Sequence, residues 1–77
     1  MDPMTKEILS KHEPLSARER DCLMHFANGL RASEVAERLN ISEKTLEKYV
    51  YNAKRKLGAK TRDHAIAIAV KLDLLHH

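Results

Sequence analysis

Several things are scarce in this chain. There is no tryptophan, one phenylalanine and two tyrosines, so no large aromatic core is available. The single cysteine, Cys22, cannot form an internal disulfide, which excludes a stapled, secreted small fold. No apolar run approaches membrane-spanning length and no signal-peptide apolar core is present, so the chain reads as cytoplasmic. The two glycines, Gly29 and Gly58, both read as helix stops, leaving no glycine-rich loop to cradle a phosphate. The five histidines (His12, His25, His64, His76 and His77) fit no Cys/His zinc spacing, so neither metal nor cofactor is expected. With 77 residues, net stability is about 4–11 kcal/mol. A deep ligand cavity would remove core that so small a domain needs, so no enzyme and no small-molecule ligand are expected.

What is present is basic charge in one place. Residues 42–62 hold Lys44, Lys48, Lys54, Arg55, Lys56, Lys60 and Arg62 against Glu43 and Glu47, an excess of five positive charges. The remainder has seven basic and nine acidic side chains. Such concentration fits a nucleic-acid contact, although a solvated basic helix would look the same by charge alone.

Periodicity separates these readings. Residues 1–14 show little pattern and read as a tail or linker, with one helical turn after Thr5 and a boundary at Pro14. Ser16 is a good N-cap with Glu19 three residues on, a capping box. Leu23, Phe26, Ala27 and Leu30 then form a helix-spaced stripe with Cys22 beside it, and Gly29 closes the helix. A second helix is expected over 32–39, with Val35, Ala36 and Leu39 inward. Asn40 reads as a left-handed stop and Ile41 as a plug inside the turn.

A third helix is expected over 43–57 behind the N-cap Ser42. At 100° per residue, Val50, Ala53 and Leu57 fall on the side of Leu46, while Lys44, Lys48, Tyr51 and Arg55 fall opposite. Two amphipathic helices joined through Leu39-Asn40-Ile41-Ser42, the second offering a charged face, form a helix-turn-helix pattern. A fourth helix, over 62–74 after Thr61, carries apolar residues on two faces: Ile66 and Val70 on one, Ala65, Ile68 and Leu72 on the other. The second face is expected to meet another chain; the alternative is a helix wedged between helices 1 and 3. The fold class is therefore all-α, one domain over 15–75 with a C-terminal tail at 76–77.

The pieces LSARERDCL (15–23), NGL (28–30), SEVAERLNISEKTLEKYV (33–50), NAKRKLGAKTR (52–62) and AIAIAVKLDLL (65–75) together resemble the LuxR-type helix-turn-helix domain. This domain occurs in quorum-sensing receptors and in FixJ- and NarL-like response regulators. The resemblance implies four helices, with helix 2 supporting, helix 3 reading DNA, and helix 4 making a homodimer on a twofold-symmetric site. Tyr51-Asn52-Ala53 is more similar to the acyl-homoserine-lactone receptor branch. Positions that reach base edges in the family correspond to Glu47, Lys48 and Tyr51. Lys48 suits guanine O6 and N7, Glu47 suits cytosine N4, and Tyr51 suits a thymine methyl or a phosphate. Glu47 has an alternative as an exposed helix neighbour of Tyr51 or Lys54.

Lys44, Thr45, Asn52, Arg55 and Lys56 suit backbone phosphates, with Lys60 and Arg62 extending the track. Tyr49 lies at the edge of the core stripe. The dimer contact is expected at Ala65, Ile68, Leu72 and Leu75. RNA polymerase is a further candidate partner, and the bacterial nucleoid the expected place.

Three departures stand out. Arg31 occupies a position where the family often has Ser or Thr, and Ser33 is the alternative cap, which would start helix 2 later. Asp73 replaces a glycine common late in helix 4. No receiver or ligand domain precedes residue 15, so the chain reads as an excised domain or a naturally minimal protein. In the latter case an antagonist that pairs through helix 4 with a full-length regulator is the alternative function.

Overall fold

The computed structural model describes residues 15–75, so the expected tails, the turn after Thr5, and His12, His76 and His77 lie outside the described residues. Four helices follow one another: α1 (Ala17–Ala27), α2 (Ala32–Leu39), α3 (Glu43–Leu57) and α4 (Arg62–Lys71), with no strand among the described residues. The all-α expectation and the helix-turn-helix of α2 and α3 hold.

Each start has a chemical cause. The Ser16 hydroxyl accepts from the Glu19 N–H at 3.1 Å while Glu19 Oε1 accepts from the Ser16 N–H at 2.9 Å, closing the capping box read from sequence. Ser42 Oγ accepts from Thr45 N–H at 3.0 Å, and Thr61 Oγ1 accepts from His64 N–H at 3.0 Å. At α2 the expected span of 32–39 holds, and the later start that Ser33 offered is not used. Arg31 is the N-cap, and although its side chain offers no acceptor, Glu34 Oε1 takes the Arg31 N–H at 2.9 Å. That carboxylate also sits in the first turn, where the helix dipole favours it.

All four helices end alike. Gly29, Asn40, Gly58 and Asp73 take positive φ, and the residue after each donates its N–H back to a carbonyl five residues earlier. This is the Schellman closure, which satisfies carbonyls the helix leaves open. It corrects the end of α4, which stops at Lys71 rather than Leu74. Asp73 turns left-handed at φ 57°, and the Leu74 N–H reaches Ala69 O at 2.8 Å.

The core has two clusters. One joins Cys22 and Phe26 of α1, Val35 and Ala36 of α2, and Leu46 of α3; the other joins Leu23, Ala53, Leu57, Ala65 and Ala69. Ile66 packs against both. Burying Leu23, Leu46 and Leu57 contributes about 1.5–3 kcal/mol each, most of what holds α3 in place. Cys22 is inside, as expected of a small apolar side chain, and burial pushes its thiol up to about 11, so it stays protonated at neutral pH.

The small side chains of Ala65 and Ala69 turn α4 toward Leu23 and Leu57, so the two expected faces do not stay intact: Ala65 and Ile66 both turn inward and Val70 turns out. Ala65 is 0 % exposed and offers no surface to another chain. Ile68 and Leu75 are half-buried against their own domain's core, and Leu72 is half-buried. The outward residues of α4 include Ala67 and Val70, the latter 60 % exposed. In short, α4 lies against α1 and α3, as the wedged alternative required.

Candidate nucleic-acid interface

Helix α3 is fixed from three sides: α1, α2 and α4 all pack against it. Its Leu46, Ala53 and Leu57 are buried and Val50 half-buried, so the opposite side must face out. Lys44, Glu47, Lys48, Tyr51 and Arg55 are all exposed there, with Tyr51 63 % exposed. The face is thus assembled by burial of the stripe behind it, and no other described helix covers it. Tyr51, exposed beside these cations, offers a ring and a hydroxyl that suit contact with a base edge or phosphate.

The flanking residues divide. Asn52 is half-buried and Lys60 exposed. Thr45 is half-buried, and its Oγ1 accepts from the Ser42 hydroxyl at 2.9 Å, so it belongs to the helix start as much as to any surface. Tyr49 packs against the first core cluster, half-buried. Lys56, expected at a backbone phosphate, has a partner within the domain. Its Nζ lies 2.8 Å from Glu19 Oε1, with 18 % of its side chain exposed, and the charge is committed inside the domain. Sequence reasoning had marked Glu19 as a cap residue, but its partner is 37 residues away and no local signal connects them.

Two residues were placed by the fold in a way the sequence did not reveal. The Arg62 guanidinium lies over the Phe26 ring, 4.0 Å from its centroid. Between this stack and α3 runs an open groove of about 290 Å³. Its floor is Phe26, Ala32, Leu46 and Val50, and Glu47, Tyr51, Lys54 and Arg62 stand along its edges. The α3–α4 turn carries Arg62 to this edge; at that turn Lys60 N–H donates to His64 Nδ1 at 3.1 Å. A helical wheel of α3 would have put Lys54 on the flank, but nothing local could have put Arg62 beside it.

Residues 13–69 match the model of the bacterial regulatory proteins of the luxR family. The chain belongs to that family. It is 43% identical over 70 residues to the HTH-type quorum sensing-dependent transcriptional regulator VjbR of Brucella abortus (strain 2308), covering 91% of this chain and 27% of that protein. It is 37% identical over 62 residues to the transcriptional activator protein BjaR1 of Bradyrhizobium diazoefficiens, covering 80% of this chain and 26% of the other. This luxR-family chain thus spans about a quarter of the length of the curated relatives it matches. These relatives are transcriptional regulators, which agrees with the expectation that the chain is no enzyme. The fold is similar to a crystal structure of the phage VqmA-DPO complex, with a TM-score of 0.76 at 23% identity over 96% of this chain and 34% of that one. No described helix is long and apolar enough to cross a membrane.

Proposed function

We propose that this luxR-family domain is the DNA-binding part of a bacterial transcription regulator and reads duplex DNA through α3. The observation that carries the reading is the division of α3 into a buried stripe and an exposed face bearing Lys44, Glu47, Lys48, Tyr51 and Arg55. Seated in the major groove, that face offers Lys48 to guanine O6 and N7, Glu47 to cytosine N4, and Tyr51 to a thymine methyl. Lys44 and Arg55 reach phosphates, with Thr45, Asn52, Lys60 and Arg62 at the borders of the contact. Lys56 leaves this set because its charge is paired with Glu19.

The domain acts as a dimer on a twofold-symmetric site, in the cytoplasm and within the quorum-sensing receptor branch; its similarity to VjbR, named a quorum sensing-dependent transcriptional regulator, supports that placement. A dimer through α4 uses the outward Ala67 and Val70 rather than Ala65. RNA polymerase is a partner of the assembled regulator in this reading.

Selection of bound sites from random duplex DNA tests it. A palindromic consensus is the expected result. Lys48→Ala should weaken binding to that consensus by roughly tenfold, equivalent to about 1.4 kcal/mol, and relax one base position. Recovery of no enriched sequence, with equal binding by Lys48→Ala, would overturn the reading.

A further inference from the structure

The stacked arginine beside α3 has a use that the base-reading face does not need. Arg62 is exposed, yet its guanidinium has a neighbour: its central carbon sits over the Phe26 ring, 4.0 Å from the centroid. A guanidinium placed over a ring leaves the N–H donors at its rim open to other partners. Among the described residues it has no hydrogen-bond or ion-pair partner. Lys54 borders the same groove from α3 and also has none among the described residues.

We infer that Arg62, positioned by Phe26 and assisted by Lys54, clamps one phosphodiester of the DNA backbone along the flank of α3. The inference rests on the DNA-binding reading above and adds two residues to it: Lys54 as a phosphate contact and Phe26 as a positioning residue. A planar fork matches a phosphate's two free oxygens, so a fixed guanidinium loses less freedom on binding than a free one. The groove has a direction. Lys54 lies seven residues beyond Glu47, about 10 Å along the helix axis. Lys54 therefore lies away from the carboxylate, and Asp63, next to Arg62 in sequence, is exposed. A sugar-phosphate strand along the groove meets cations at one end, while Glu47 meets base amines at the other. The floor of Val50 and Ala32 suits the apolar face of a deoxyribose.

The test uses the 77-residue chain and its selected duplex, with a random-sequence duplex of equal length beside it. Arg62→Gln should weaken both duplexes by roughly tenfold, since phosphate contacts carry no sequence information. It should also flatten the log–log salt dependence by about 0.9 per subunit. Single methylphosphonate substitutions in the selected duplex then locate the phosphate. One position should weaken the parent chain and leave Arg62→Gln unaffected. Phe26→Leu retains the charge and should weaken both duplexes by a smaller factor, and unchanged binding would remove Phe26 from the clamp; thermal melting of the free chain shows whether the domain has stayed folded.

If the parent chain binds and Arg62→Gln binds equally, or if every methylphosphonate hurts both proteins alike, the clamp is wrong and the DNA reading stands. If the parent chain binds no duplex, both fall.

Discussion

Lys56 Nζ sits 2.8 Å from Oε1 of Glu19, and this single contact ties the last turns of α3 to the first turn of α1. Glu19 is 4 % exposed and already accepts the Ser16 N–H, so its carboxylate serves the capping box and the ion pair together. The pair holds the helix whose outer face carries the proposed DNA contacts, without taking part in them. Truncating Lys56 removes the counter-charge from a buried carboxylate. Lys56→Ala should therefore cost about 2–3 kcal/mol, below the usual cost for a buried pair because Ser16 still donates. Glu19→Gln should cost less, about 1 kcal/mol, because glutamine still closes the capping box and the lysine can swing toward water. Urea unfolding of the two variants checks the asymmetry; equal losses would mean that the pair does not carry the effect.

The same carboxyl makes stability depend on pH. Burial pushes Glu19 upward, but the Lys56 ammonium, together with the backbone and hydroxyl of Ser16, outweighs it and leaves the carboxyl below its usual 4.5. A carboxyl with a lower value in the folded chain stabilises the fold above its unfolded value. That contribution is lost as pH falls through the folded value. The urea midpoint of the parent chain should thus decline more steeply below about pH 4.5 than that of Glu19→Gln. Parallel declines in the two proteins would remove Glu19 from the acid transition.

Asn40 occupies the turn between α2 and α3 at φ 55° and ψ 47°, a conformation in which a β-carbon crowds the following carbonyl. Asparagine tolerates it better than most residues with a side chain. Asn40→Ala should cost about 1 kcal/mol, and Asn40→Gly should be neutral or raise stability by a few tenths. Because the turn sets the angle of α3, a calorimetric scan and a DNA titration of Asn40→Ala should agree in direction.

Most of the fold was legible because its signals are local. Ser16 with Glu19, Ser42, Thr61, Gly29, Asn40 and Gly58 each mark a helix end by chemistry acting within five residues, and the structure uses every one. The burial of Leu46, Ala53 and Leu57 followed from 3.6-residue spacing. The misreadings share a different cause. Helix α4 has apolar side chains on most of its circumference, so spacing could not say which face turned inward. The decision fell to size, since Ala65 and Ala69 permit close approach to Leu23 and Leu57. The Lys56–Glu19 pair and the Arg62–Phe26 stack join residues whose proximity exists only after α1, α3 and α4 have packed. Charge counting treated Lys56 and Arg62 as equivalent to Lys48, although the fold gives each a separate neighbour.

The burial of Ala65 also changes what a dimer through α4 would use. Val70 is 60 % exposed, and a valine so placed gains by being covered. Ala67 lies beside it with a side chain small enough for a second helix to approach. Val70→Glu places a charge in the centre of any contact made there, while the domain's own core, built on Ala65 and Ala69, is untouched. The variant should melt within about 0.5 kcal/mol of the parent, as a surface change does. It should sediment as a smaller species at concentrations where the parent associates, and bind the palindromic duplex with a shallower concentration dependence. A half-site duplex should bind parent and variant alike. Unchanged association by Val70→Glu, with Ile68→Glu or Leu72→Glu abolishing it in a folded chain, would return the contact to the inner edge of the helix.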